Sequence, residues 1–208
     1  MAFQTVWYET ELPKNIIETI EEDLKIFDDK AQDSYVGYGG QGEIDKVIRN
    51  SKNLWIPTDH WIGGFLWHYV MRANRENFVY DLTCIDGENL QYTQYGEGQY
   101  YNWHIDAGID TAYKPQFITS SAQNKAQDDI NLNGEYVRKL SFTLQLSDPE
   151  DYRGGEVQFM DNAGKSYFMP KQRGTIAFFD SRTPHRVRKV KSGMRKSIVG
   201  WVCGPRWK

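Results

Sequence analysis

From 90 to 106 the chain reads LQYTQYGEGQYYNWHID. Two runs rich in aromatic and β-preferring residues, 90–95 and 100–106, flank Gly96-Glu97-Gly98, which predicts two strands joined by a tight turn. Outward from this pair the same alternation of short runs and turn residues recurs, and it predicts further strands over 81–85, 136–146, 156–160, 166–170, 175–179, 185–190 and 195–202. Nine short strands with close turns form an antiparallel sandwich or barrel. Upstream the pattern changes. Ile16, Ile17, Ile20, Leu24 and Phe27 recur at helical spacing over 13–27 behind Pro13, and a second helix is expected from Thr58 or Asp59 through Trp61, Phe65, Leu66 and Tyr69 to about Asn77. The expected class is α+β, mostly β, as one domain over 1–208. A helical part covers about 1–80, with its helices packed on one outer face, and a β part covers 81–208.

The 208 residues are 39% apolar and 14% aromatic, which argues for a folded core and against disorder. With 25 Lys plus Arg against 28 Asp plus Glu, the net charge of −3 supplies no general field for nucleic acid. The local concentration of Arg186, Arg188, Lys189, Lys191, Arg195 and Lys196 reads as a solvated hairpin, with nucleic acid a minority substrate. No run approaches the roughly 18 to 20 apolar residues of a membrane span. The first residues, with Gln4, Glu9 and Glu11, lack the pattern of a secretion signal, so a cytoplasmic setting is expected. Cys84 and Cys203, far apart in sequence, are expected to be reduced and buried. The stretch 107–135, rich in Ser, Asn, Gln and Asp, shows no period and is expected to be a flap or an insertion.

The chemistry concentrates on two of the four histidines, His60, His68, His104 and His185. His104 and Asp106 flank Ile105 on a predicted strand, so imidazole and carboxylate project to one face. A histidine from a neighbouring strand would complete a two-histidine, one-carboxylate triad that leaves positions of an octahedral Fe(II) open, and His185 is the candidate. Arg195 follows ten residues later, past a turn through Lys191-Ser192-Gly193, with Ser197 on the same face. That pair can grip a carboxylate, the arginine by two parallel hydrogen bonds and the serine by a third. His60 and His68 have no carboxylate at ligand spacing and read as helix-surface residues.

The order HxD, distal histidine and arginine resembles the Fe(II)- and 2-oxoglutarate-dependent oxygenases, nearest their prolyl-4-hydroxylase-like branch. The resemblance runs from about 90 to 204 and is carried by 95–106, Leu140-Ser141-Phe142-Thr143-Leu144-Gln145-Leu146-Ser147, Gly154-Gly155-Glu156-Val157, and Pro184-His185-Arg186-Val187 with Arg195 and Trp201. It implies a double-stranded β-helix (jelly roll) and a dioxygenase that hydroxylates a C–H bond, first a peptidyl proline, yielding succinate and CO2. Fe(II) would sit on His104, Asp106 and His185. The co-substrate 2-oxoglutarate would be held by Arg195 and Ser197 and approached by Tyr95, with O2 as second co-substrate and ascorbate as an accessory reductant. Gln145 stands where relatives carry a tyrosine that reaches the far carboxylate, and Tyr101 and Trp201 match aromatic walls of the substrate pocket. A protein or peptide is the expected partner. The alternatives are a hydroxylase of a free amino acid or small molecule, and a jelly-roll binding module without turnover. A sister branch that repairs nucleic acid carries a second arginine where this chain has Trp201.

Overall fold

The computed structural model describes residues 4–9, 12–26, 30–34, 45–57, 59–85, 89–107 and 136–207; apart from Ala107, the expected flap lies outside them. In chain order the early elements are β1 (Val6–Glu9), α1 (Lys14–Lys25), β2 (Gln32–Asp33), β3 (Arg49–Asn50), β4 (Lys52–Ile56) and α2 (Trp61–Ala73). There follow β5 (Cys84–Ile85), β6 (Leu90–Tyr95), β7 (Tyr100–His104), β8 (Tyr136–Gln145), β9 (Tyr152–Gly154) and β10 (Val157–Met160). The last are β11 (Ser166–Phe168), β12 (Ile176–Asp180), β13 (His185–Val187), β14 (Val190–Gly193) and β15 (Arg195–Pro205).

Two sheets face each other. The larger runs β1-β12-β8-β15-β6-β4-β2 with β5 beside β15, and the smaller runs β11-β10-β13-β7-β3. Among the described residues these strands pair antiparallel throughout. The large sheet is buried on both faces, and strand alternation sorts its residues. Leu140, Phe142 and Leu144 of β8 and Ile198 and Val202 of β15 share a core with Ile17, Ile20 and Leu24 of α1 and Ile62, Leu66 and Val70 of α2. The helices therefore cover the outer face. The intervening residues, among them Thr143, Arg195, Ser197 and Trp201, point the other way and line the space between the sheets. A second core, including Val157, Phe159, Phe179 and Val187, closes that interior next to the site.

The helices differ in detail from the sequence reading. Pro13 is the N-cap of α1, its carbonyl accepting from Ile16 and Ile17. The second helix is capped by His60, whose Nδ1 accepts from the Ile62 N–H at 3.4 Å. Its last turn widens into a π-helical segment, Asn74–Phe78. Its buried stripe is Ile62, Leu66 and Val70. Trp61 stays 41% exposed and stacks edge-on with Phe65 instead of entering the core. Among the described residues four short strands also precede α2, so the N-terminal part mixes sheet with helix. Cys203 is buried and Cys84 only partly so, and the two occupy paired positions of β15 and β5 without a disulfide.

Candidate metal and co-substrate site

Two imidazoles meet because β13 pairs with β7 in a register that sets His185 directly opposite His104. Their ring centroids lie 4.1 Å apart. The third donor sits just past the end of β7, since the strand stops at His104 and not at 106 as the alternation predicted. The backbone N–H groups of Asp106 and Ala107 both donate to the Ser181 carbonyl, at 2.9 and 3.1 Å, and this turns the Asp106 carboxylate inward while Ile105 remains exposed. His104 Nε2 is 3.7 Å from Asp106 Oδ1, and His185 Nε2 is 3.6 Å from Oδ2. These separations exceed hydrogen-bonding distance, so the simple alternative of a His104–Asp106 hydrogen bond does not describe the pair.

Each ring is aimed by its other nitrogen. His104 Nδ1 bonds the Asn102 carbonyl at 2.8 Å and His185 Nδ1 bonds the Thr183 carbonyl at 2.9 Å. A carbonyl only accepts, so each Nδ1 carries the proton and each Nε2 presents a lone pair. The donor atoms of His104, Asp106 and His185 all lie within 4.8 Å of one another. Burial first, then His185 and the Arg49 guanidinium, lowers His104 to about 3, so at neutral pH its imidazole is uncharged. Burial pushes the Asp106 carboxyl up, but His185, His104, the Ser141 hydroxyl and Arg138 outweigh it and hold the group below the usual carboxylate value. Two imidazole nitrogens and one carboxylate, converging from one side, fit a divalent first-row ion and leave its remaining positions to other ligands.

Arg195 is 2% exposed and has no carboxylate partner among the described residues. Its Nη1 donates to Ser197 Oγ at 3.1 Å, while Nη2 is buried without a hydrogen-bond partner among the described residues. Tyr95, opposite Arg195 in the β6–β15 ladder, presents its ring 5.8 Å from the guanidinium. Burial works to lower the Arg195 pKa, and Tyr152 and Tyr95 work against it. Arginine keeps its proton all the same. A buried cation whose neighbours are neutral is a receptor for an anion.

The same cavity is lined by the three donors, by Arg195, Ser197 and Tyr95, and by Tyr101 and Trp201. Tyr101 stands an odd number of residues from His104, so plain alternation would put the two on opposite faces. A bulge brings them together: His185 pairs with His104 but Val187 pairs with Tyr101, so that Arg186 alone opposes Asn102 and Trp103. The Tyr101 ring thereby stacks on His104 at 3.5 Å, and Trp201 packs against Trp55 at 6.1 Å. Gln145 is the predicted residue that the structure does not bring to the cavity lining. Its amide donates to the Ser147 carbonyl at 3.0 Å and to the Tyr152 hydroxyl at 3.1 Å. Two residues escaped the sequence reading. Tyr152 lies beside Arg195, and Arg49, on β3, lines the cavity from the far side. His60 and His68 stand on and beside α2, outside the site.

The sequence of 90–203 matches the family model described as the 2OG-Fe(II) oxygenase superfamily. The chain belongs to this superfamily. Among curated relatives of this oxygenase, a PKHD-type hydroxylase of Parvibaculum lavamentivorans is 44% identical over 87 residues, 42% of this chain and 39% of that protein. The chain thus aligns with well under half the length of that relative. Among solved structures, a Pseudomonas putida prolyl-4-hydroxylase superposes with a TM-score of 0.69 at 15% identity, covering 98% of this chain and 94% of its own. A Trichoplax adhaerens prolyl hydroxylase in complex with a hypoxia inducible factor peptide fragment gives 0.69 at 17% identity, covering 95% and 83%. At such identities the likeness concerns the fold, and it establishes the double-stranded β-helix for the two facing sheets. Fe(II), 2-oxoglutarate and O2 are the cofactor and co-substrates of the family. Among the described residues no helix is long and apolar enough to cross a membrane.

Proposed function

We propose that this oxygenase hydroxylates a proline side chain within a protein or peptide, with His104, Asp106 and His185 holding Fe(II) and Arg195 and Ser197 holding the far carboxylate of 2-oxoglutarate. The observation that carries this is the pairing of a His–Asp–His donor set with a buried, carboxylate-free arginine in one cavity. Bound together, Fe(II), O2 and 2-oxoglutarate supply the oxidising chemistry, consuming the co-substrate to succinate and CO2.

This chain's own residues do the positioning. The Thr183 and Asn102 carbonyls fix the imidazole tautomers, and the Ser181 carbonyl fixes the turn that carries Asp106. Arg195 Nη2 and the Ser197 hydroxyl are placed to hold a dicarboxylate by its far end, and Tyr95 approaches from the adjacent strand. Tyr101 and Trp201 wall the cavity, with apolar Val157, Phe179 and Val199 excluding water around the reacting centre. Two structural neighbours described as prolyl hydroxylases support proline as the substrate, and the peptide complex of one of them supports a peptide as its carrier. Cys84 and Cys203, thiols and not a disulfide at paired strand positions, suit a reducing, cytoplasmic setting.

The test is succinate formation by purified protein given Fe(II), ascorbate and 2-oxoglutarate. His104→Ala and Asp106→Ala should each abolish it, and absence of succinate from the unaltered protein would point to a binding module. A gain of 16 Da on members of a proline-rich peptide panel would identify the substrate class.

A further inference from the structure

The oxygenase cavity holds a second buried guanidinium that the 2-oxoglutarate reading leaves unused. Arg49 is 6% exposed and lines the cavity with His104, Asp106 and Trp201. Its Nε donates to Ser51 Oγ at 2.8 Å and its Nη2 to Gln91 Oε1 at 2.6 Å, and its plane lies 4.9 Å over Tyr101. All three neighbours are neutral. They fix the orientation of the group without cancelling its charge, and Nη1 has no hydrogen-bond partner among the described residues.

Summing formal charges shows what is left over. Fe(II) and the two carboxylates of 2-oxoglutarate cancel, and Asp106 cancels Arg195. One positive charge then remains in the cavity, on Arg49. Keeping an ion out of water without a counter-charge costs several kcal/mol, a cost recovered when a ligand brings the opposite charge. A second unsatisfied donor lines the same space: Trp201, 9% exposed, buries its indole Nε1 without an acceptor.

We propose that Arg49 and the indole N–H of Trp201 form a carboxylate subsite for the prime substrate, so that the molecule hydroxylated carries a carboxylate close to the proline C–H bond presented to the metal. This rests on the oxygenase reading above and narrows its substrate class. The carboxylate has two sources, the free α-carboxylate of a proline derivative or the side chain of an acidic residue next to a peptidyl proline.

The experiment is anaerobic binding to the full chain loaded with Mn(II) and 2-oxoglutarate, whose own binding is measured first. N-acetyl-L-proline is compared with N-acetyl-L-prolinamide, and acetyl-Pro-Glu-amide with acetyl-Pro-Gln-amide. In at least one pair the acid should bind about 10- to 100-fold more tightly than its neutral partner, as a charge-assisted contact requires. The pair that discriminates identifies the source. Arg49→Gln should bring that ratio to about one, and Arg49→Lys, which keeps the cation, should restore part of it. A ratio near one in both pairs for the unaltered protein, a ratio that survives Arg49→Gln, or no binding by any acid overturns the subsite. Failure of Mn(II) and 2-oxoglutarate to bind would instead bring down the oxygenase reading and the subsite with it.

Discussion

Arg195 shows how one side chain can be both costly and necessary. Its guanidinium is withdrawn from water, held by Ser197, and left with Nη2 unsatisfied. Truncating it removes the charge that would meet the far carboxylate of 2-oxoglutarate. Arg195→Ala is expected to raise the apparent KM for 2-oxoglutarate by the equivalent of about 2 to 4 kcal/mol, roughly 30- to 1000-fold. Steady-state succinate assays at varied 2-oxoglutarate would show it, and an unchanged KM would remove Arg195 from the co-substrate site. At this scale the sequence was legible where chemistry is local. His104 and Asp106 announce themselves by spacing, and His185 and Arg195 by their order along the chain. Arg49 and Tyr152 were not legible, because nothing in their immediate sequence marks a residue whose role comes from strands more than forty positions away, as with the Arg49–Gln91 bond. Gln145 matched a position in the family pattern, but its amide is taken by Ser147 and Tyr152.

At the scale of elements, glycine tells where packing is closed and where it is open. Gly200 on β15 lies against the helix-facing core, and a Cβ there would come 2.3 Å from Phe142 Cζ. Neither the strand nor a buried ring can yield cheaply. Gly200→Ala should destabilise by about 1 to 3 kcal/mol, lowering Tm by roughly 2 to 12 °C. Gly64, within α2, has nothing within 4 Å of a Cβ. Gly64→Ala should therefore act in the opposite direction, stabilising by about 0.5 to 1 kcal/mol as the helix gains propensity and the unfolded chain loses freedom. Thermal melts of the two variants would separate closed packing from open, and a Gly200→Ala protein as stable as its parent would contradict the close approach. The elements themselves were read best where runs were aromatic or β-branched and bounded by turn residues; β6 falls at the residues expected. They were missed where strands are very short or mixed in character. β3 is two residues, and β4, Lys52–Ile56, opens with a lysine and an asparagine. The bulge that carries Tyr101 to His104 depends on the partner strand, so no single run of residues contains it.

For the whole molecule, the arrangement couples metal, pH and stability. The three donors come from two regions of chain brought together by the pairing of β7 and β13 and by the turn at Ser181. An ion bound there stabilises the folded state alone, by about 3 kcal/mol when present at a hundred times its Kd, and His104→Ala should abolish that gain in a melt with Mn(II). Without metal, protons act in the reverse sense. His104 in the folded protein has a pKa of about 3, set first by burial, against an ordinary value of 6.5. Below pH 6.5 the unfolded chain takes up a proton that the folded chain refuses, so stability must fall as pH declines from there towards 3. Asp106 contributes in a lower window, since its depressed carboxyl supports the fold above its ordinary value near 3.8 and loses that support only as pH falls further. Between pH 7.5 and 5.5, then, the metal-free protein should lose roughly 1 kcal/mol through His104. Denaturant titrations of the chelator-treated protein and of His104→Ala at both pH values would measure it. A dependence that is equally steep in the two proteins would mean that the imidazole is not held uncharged between the sheets.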